Sequence, residues 1–192
     1  KNPLGGLSRK LVTIQELRRA GEDPLILDSG DLFFLNPHIN DSNIVSEQYR
    51  ASAILEGYEK IGCEAINVGR YELLCGLSFL KERAGSTSVP FISANLRDKQ
   101  GKDLLFDPYR IVQRGQFNIG IIGLTSMLPD TMTTVTADDY LETGRSFLKK
   151  LKAQVDILVM LVNTDRKNYE SLPAEFPEAD FIFVSGSTML TR

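Results

Sequence analysis

The sequence contains no tryptophan, one histidine (His38) and two cysteines (Cys63 and Cys75) in 192 residues. One histidine and two thiols without a second pair exclude a structural zinc site, which needs four such ligands at characteristic spacing. A disulfide between Cys63 and Cys75 remains open, and two thiols do not define a redox compartment. Basic charge is not in surplus: 22 Lys and Arg stand against 25 Asp and Glu, for a net charge of -3. With no dense Lys/Arg stripe, the electrostatic footprint of a nucleic-acid binder is missing. Long apolar runs are also missing. The stretch at residues 157–162 is far short of the ~20 residues of a membrane-spanning helix.

What is present describes an ordinary globular chain, 42% hydrophobic and 24% charged, large enough to bury roughly 70% of its unfolded surface. Leu11, Ile14, Leu17 and Ala20 predict a helix over residues 8–20, with Ser8 as N-cap. Pro24 stops it, and the short apolar run that follows predicts a buried strand at 25–27. Residues 36–43, rich in Asn, Asp and Pro, read as loop. Helices are expected at 44–61, 73–84 and 138–154, and strands at 65–68, 90–95, 157–162 and 180–184. A turn is expected at 98–103, and a hairpin pairs 109–113 with 117–124 around Arg114-Gly115. Strands alternating with helices predict an α/β fold in layers, and the hairpin mixes the sheet direction. There is no repeat and no linker, so one domain over 1–192 is expected.

Three apolar runs end in glycine turns with polar tips: Asp28-Ser29-Gly30-Asp31, Val68-Gly69-Arg70-Tyr71-Glu72 and Val184-Ser185-Gly186-Ser187-Thr188-Met189. In α/β folds, sites are built at the carboxyl ends of strands. Gly120-Ile121-Ile122-Gly123 lies inside a strand with no helix after it, so it is structural. His38 sits in a loop between Pro37 and Ile39 and reads as a surface residue. Cys75 has two readings. It is either a small buried hydrophobe or a thiol near a helix N-terminus and Arg70, with a lowered pKa and redox potential.

These turns, with Gly5-Gly6-Leu7 before the first helix, Ile92-Ser93-Ala94-Asn95-Leu96, Pro108-Tyr109-Arg110-Ile111 and the run Ile119 to Thr125, resemble the N-terminal metallophosphatase domain of the bacterial 5′-nucleotidases. That family belongs to the calcineurin-like metallophosphoesterases. The resemblance implies a layered sandwich of two mixed β-sheets flanked by helices, hydrolysis of nucleotide phosphoesters, and an extracytoplasmic setting, either the periplasm or a surface lipoprotein. It also implies that residues 1–192 are a fragment of a longer chain, with an Asp-x-His pair upstream of Lys1 and a further C-terminal domain. The family holds two divalent metals, Mn, Zn, Fe or Mg, at the strand ends, where they clamp phosphoryl oxygens and activate a water.

Carried onto this sequence, the resemblance places Asp31 at the bridging aspartate, where it serves either as a vestigial metal ligand or as a turn residue. Arg70 stands at the asparagine ligand, Tyr71 at the catalytic histidine, and Asn163, Ser187 and Met189 at the later histidines. Arg70 brings a permanent cation to a dication's place, and Ser187 and Met189 suit hard divalent ions poorly. The expectation is a domain that has lost binuclear hydrolysis, holds no cofactor, and acts as a binding or redox-linked pseudo-enzyme on a nucleotide or other small anion. An active metal-dependent phosphoesterase is the alternative. Arg70 is further expected to pair with Asp31. Oligomeric state is not legible.

Overall fold

The computed structural model describes residues 6–34, 37–100 and 102–186. Two β-layers meet across an apolar interior, with helices outside. The first sheet, ordered β1-β2-β3, comprises β1 (Ile26–Asp28), β2 (Cys63–Asn67) and β3 (Phe91–Ile92). All its pairings are parallel. The second, ordered β5-β6-β8-β9, comprises β5 (Tyr109–Arg114), β6 (Phe117–Thr125), β8 (Ile157–Asn163) and β9 (Phe181–Ser185). Within it β5 and β6 form the expected antiparallel hairpin, with Arg114 opposite Phe117, while β6, β8 and β9 run parallel. Mixed strand direction is therefore confined to this sheet, because only the short turn at Gly115 brings consecutive strands together without a crossover helix.

Helix α2 (Ile44–Ile61) follows the sequence pattern end to end and buries Ala51, Leu55, Tyr58 and Ile61 against the first sheet. Gly62, at φ 72°, ends it. Helix α1 (Leu7–Arg19) begins one residue before the expected Ser8, so Gly6 rather than Ser8 is its N-cap. The helix expected at 73–84 is split. A 3₁₀ turn at Tyr71–Leu73 precedes α3 (Gly76–Gly85), because Gly76 at φ 85° interrupts the helical path. Helix α4 (Tyr140–Leu151) is capped by Asp139, whose carboxylate accepts from the Glu142 N–H at 2.8 Å. It packs Leu148 and Leu151 against β6 and β8.

Two pieces went unforeseen. Strand β4 (Leu96–Asp98) pairs antiparallel with β7 (Val135–Ala137) in a separate ribbon, so the strand expected over 90–95 stops at Ile92. Helix α5 (Leu172–Glu175) buries Leu172. No described helix is long and apolar enough to cross a membrane.

The parallel strands place their last residues on one side of the molecule. Five of these strands end in a polar residue after an apolar run: Asp28, Asn67, Thr125, Asn163 and Ser185. Asn67, Thr125 and Asn163 are fully buried.

Candidate functional site

Two close-packed turns build the centre of this face. Gly30 (φ 100°) and Asp31 (φ 62°) both lie in the left-handed region, which glycine enters freely and aspartate more readily than most residues. The second turn begins at Gly69, and a Cβ there would lie 2.6 Å from the Asp31 backbone nitrogen, 2.8 Å from Asp31 Oδ1 and 2.9 Å from Asn163 Nδ2. Only a hydrogen fits.

Glu72 fastens the two turns. Its side chain is fully buried, and its carboxylate accepts from four backbone N–H groups: Asp31 at 2.9 Å, Leu32 at 2.6 Å, Phe33 at 3.1 Å and Gly69 at 2.8 Å. A cluster of backbone amides of this kind is a ready anion cradle. Here the chain fills it with its own carboxylate.

Asp31 is similarly engaged. Its Oδ1 accepts from the Tyr71 N–H at 2.8 Å, and the Asn163 amide also donates to the carboxylate. Asn163 in turn accepts from the Arg70 N–H at 3.0 Å and donates to Ser185 Oγ at 2.8 Å. Ser185 Oγ donates to the Ser29 carbonyl at 2.6 Å. The Asn67 amide bridges the carbonyls of Ser29 (3.1 Å) and Leu124 (2.9 Å), and Thr125 Oγ1 donates to the Val68 carbonyl. The ends of β1, β2, β6, β8 and β9 are thus tied directly to one another by neutral amides and hydroxyls.

Of the residues singled out from sequence, Asp31, Asn163 and the backbones of Arg70 and Tyr71 come together here. Ser187 and Met189 lie outside the described residues. The expected Arg70–Asp31 pair is not the one formed. The Arg70 guanidinium reaches Asp130 instead, at 3.8 Å, because both Asp31 contacts above are made by other donors. Arg70 still lowers the Asp31 pKa through space, though burial outweighs it and the net shift is upward. The Tyr71 phenol is pushed up by burial and then by Asp31, so it stays protonated at neutral pH and cannot stand in as a base.

Cys75 departs from its sharper reading. Its thiol pKa is raised, first by burial and also by Glu47, with a Gln48 hydrogen bond opposing. Arg70 is not among the groups that act on it. Cys63 and Cys75 are both free thiols. His38 is exposed in its loop.

Glu72 was missed by sequence reasoning, which quoted it but gave it no role. The available signal was a glutamate three residues after the turn glycine, where its side chain can reach back to orphan amides.

A divalent metal does not fit these donors. Among the described residues no three His, Cys, Asp or Glu side chains converge as a ligand set. Asp31 already accepts hydrogen bonds, and the Arg70 cation acts on it through space.

Burial raises Asp28, Asp31 and Glu72 together, and Glu72 is pushed up to about 7 by burial first and Asp31 second. For an acid with a raised folded pKa, the folded state holds the proton where the unfolded chain has lost it. Stability is then fully present below the ordinary value of 4.5 and is lost as pH rises through about 7. The urea midpoint is expected to be higher at pH 5 than at pH 8, and a midpoint that climbs from 5 to 8 contradicts these shifts.

No protein-family model matches the chain. The 5′-nucleotidase of Vibrio cholerae is 30% identical over 125 residues, covering 63% of this chain and 21% of that protein. The 5′-nucleotidase precursor of Thermus thermophilus superposes with a TM-score of 0.75 at 24% identity, over 96% of this chain and 36% of that one. The chain is thus similar in sequence to 5′-nucleotidases and shares the fold of the Thermus thermophilus protein. The calcineurin-like phosphoesterase YfkN of Bacillus subtilis shares the fold at a TM-score of 0.75 and 20% identity, covering 94% of this chain and 63% of its own. The chain spans 19% to 22% of the length of the first curated relatives.

Proposed function

We propose that this 5′-nucleotidase-like domain has lost binuclear-metal hydrolysis and acts, in an extracytoplasmic setting, as a metal-independent binder of a nucleotide or other small phosphate-bearing anion. The observation that carries the reading is the closed hydrogen-bond lattice around Asp31, in which Asn163, Tyr71 and Ser185 occupy the space between the strand ends. With the amide cradle taken by Glu72, the donor left for a ligand is the Arg70 guanidinium. Its pair with Asp130 is long, at 3.8 Å, and made to a 97% exposed side chain. Such a surface ion pair contributes about 0–1 kcal/mol and yields readily to a bidentate phosphate.

Adenosine monophosphate titrated in EDTA, followed by calorimetry, tests this. Saturable binding is expected, weakened about tenfold or more in Arg70→Ala, as a charge-assisted contact of roughly 1.5–3 kcal/mol requires. Binding unaffected by the substitution, or no binding, removes the proposal. The alternative, an active phosphoesterase, requires Mn²⁺-dependent turnover of that nucleotide at an enzymatic rate of about 1 s⁻¹ or more.

A further inference from the structure

A cavity of about 490 Å³ lies between the start of α3 and the β4–β7 ribbon, within the size range of small-molecule sites. One wall is the chain from Leu73 to Ser78, where Gly76 at φ 85° turns the backbone into α3. The facing wall joins Asp98 and Gln100, at the end of β4, to residues 131–134 before β7. That second wall is fixed at both ends. The Met132 N–H closes a turn onto the Pro129 carbonyl at 2.9 Å, and the Lys99 N–H donates to the Thr134 carbonyl at 3.0 Å. Asp130 and Thr131 are the central residues of the turn. Asp130 meets the Arg70 guanidinium, and Thr131, the next residue along the chain, lines the cavity. The arginine assigned to the anion therefore stands beside this cavity.

We infer that the cavity takes the hydroxyl-bearing body of the ligand whose phosphate Arg70 holds, and that this ligand is a sugar or polyol phosphate recognised without a base. The inference rests on the anion-binding reading of Arg70 and narrows it. Three features of the lining select that class. None of the lining residues is aromatic, so a nucleobase finds no face to stack on. None is Lys, Arg or His, and Asp98 brings a carboxylate, so the part of the ligand that enters is uncharged and the phosphate stays at Arg70. The side chains of Ser78, Gln100, Thr131 and Thr133 bring hydroxyls and an amide that both donate and accept, and none of the four has a hydrogen-bond partner among the described residues. A sugar hydroxyl, itself donor and acceptor, matches such groups in either direction. Leu73, Leu74 and Leu77 add apolar surface for the carbons that carry those hydroxyls.

Calorimetry on the whole chain in EDTA tests this with three probes: inorganic phosphate, ribose 5-phosphate and adenosine monophosphate. Ribose 5-phosphate is expected to bind about tenfold or more tighter than inorganic phosphate, as two ordinary neutral hydrogen bonds supply. The nucleotide is expected within about threefold of the sugar phosphate. Thr131→Val combined with Thr133→Val removes two hydroxyls at exposed positions. This double variant brings ribose 5-phosphate to within about threefold of inorganic phosphate and leaves inorganic phosphate unchanged. Thr136→Val, exposed on β7 and outside the lining, changes neither. Ribose 5-phosphate no tighter than inorganic phosphate overturns the inference and leaves Arg70 standing as an anion site. A sugar-phosphate advantage that survives the double variant overturns it equally. So does a nucleotide more than about threefold tighter than the sugar phosphate, because the base is then recognised. If none of the three probes binds, the anion-binding reading falls, and this inference with it.

Discussion

Glu72→Ala is expected to destabilise the domain by about 3–5 kcal/mol, the range for stripping a buried charged partner from groups that depend on it. Four backbone N–H groups in two turns lose their acceptor together, and the carboxylate's volume is left empty beside Phe33. For a chain of this size that corresponds to a melting temperature lower by roughly 6–20 °C. Glu72→Gln preserves the shape and keeps one acceptor oxygen, as the protonated carboxyl does, so it recovers part of the loss. The deficit should appear in thermal denaturation followed by circular dichroism. A Glu72→Ala protein melting within about 2 °C of the parent, under 1 kcal/mol, would show that water satisfies these amides and that the carboxylate is not the fastener.

Gly69→Ala is the second large effect, with an expected loss of about 3 kcal/mol from overpacking and broken hydrogen bonds. The methyl group would sit 2.6 Å from a backbone nitrogen, which cannot rotate away as a side-chain tip could. Relief requires the Gly30-Asp31 turn to move, and that lengthens the bonds from the Asp31 N–H to Glu72 and from the Tyr71 N–H to Asp31. Gly85→Ala makes a matched control, because a Cβ at Gly85 meets nothing within 4 Å. Urea unfolding should place Gly69→Ala well below the parent and Gly85→Ala near it. Equal midpoints for the two variants would mean that the turns are not in contact in solution.

Where sequence periodicity and a terminator coincide, as at Ile44–Ile61 before Gly62, the element was readable to the residue. The Arg114-Gly115 hairpin was readable because its glycine turn lies between two runs rich in β-branched and aromatic residues. The β4–β7 ribbon was not, since three-residue strands such as Leu96–Asp98 and Val135–Ala137 carry too little alternation to stand out. At the site, the location was legible from polar residues closing apolar strands. The bonding was not, because Glu72 reaches Asp31, Leu32 and Phe33 across about forty positions. The reading of Arg70 failed for the same reason: its partner, Asp130, belongs to a loop whose position no local pattern specifies. Cys75 looked activated from its neighbours in the chain, yet its thiol responds to Gln48 and Glu47 from α2.

The central claim is that neutral hydrogen bonds among the strand ends have taken the place of a pair of dications. Metal stoichiometry tests it most directly. The purified chain, equilibrated with manganese and dialysed, can be assayed by inductively coupled plasma mass spectrometry at neutral pH. Substantially less than one manganese per chain is expected, with no change in melting temperature on adding the metal. Two tightly retained ions per chain, accompanied by a rise in melting temperature, would contradict it.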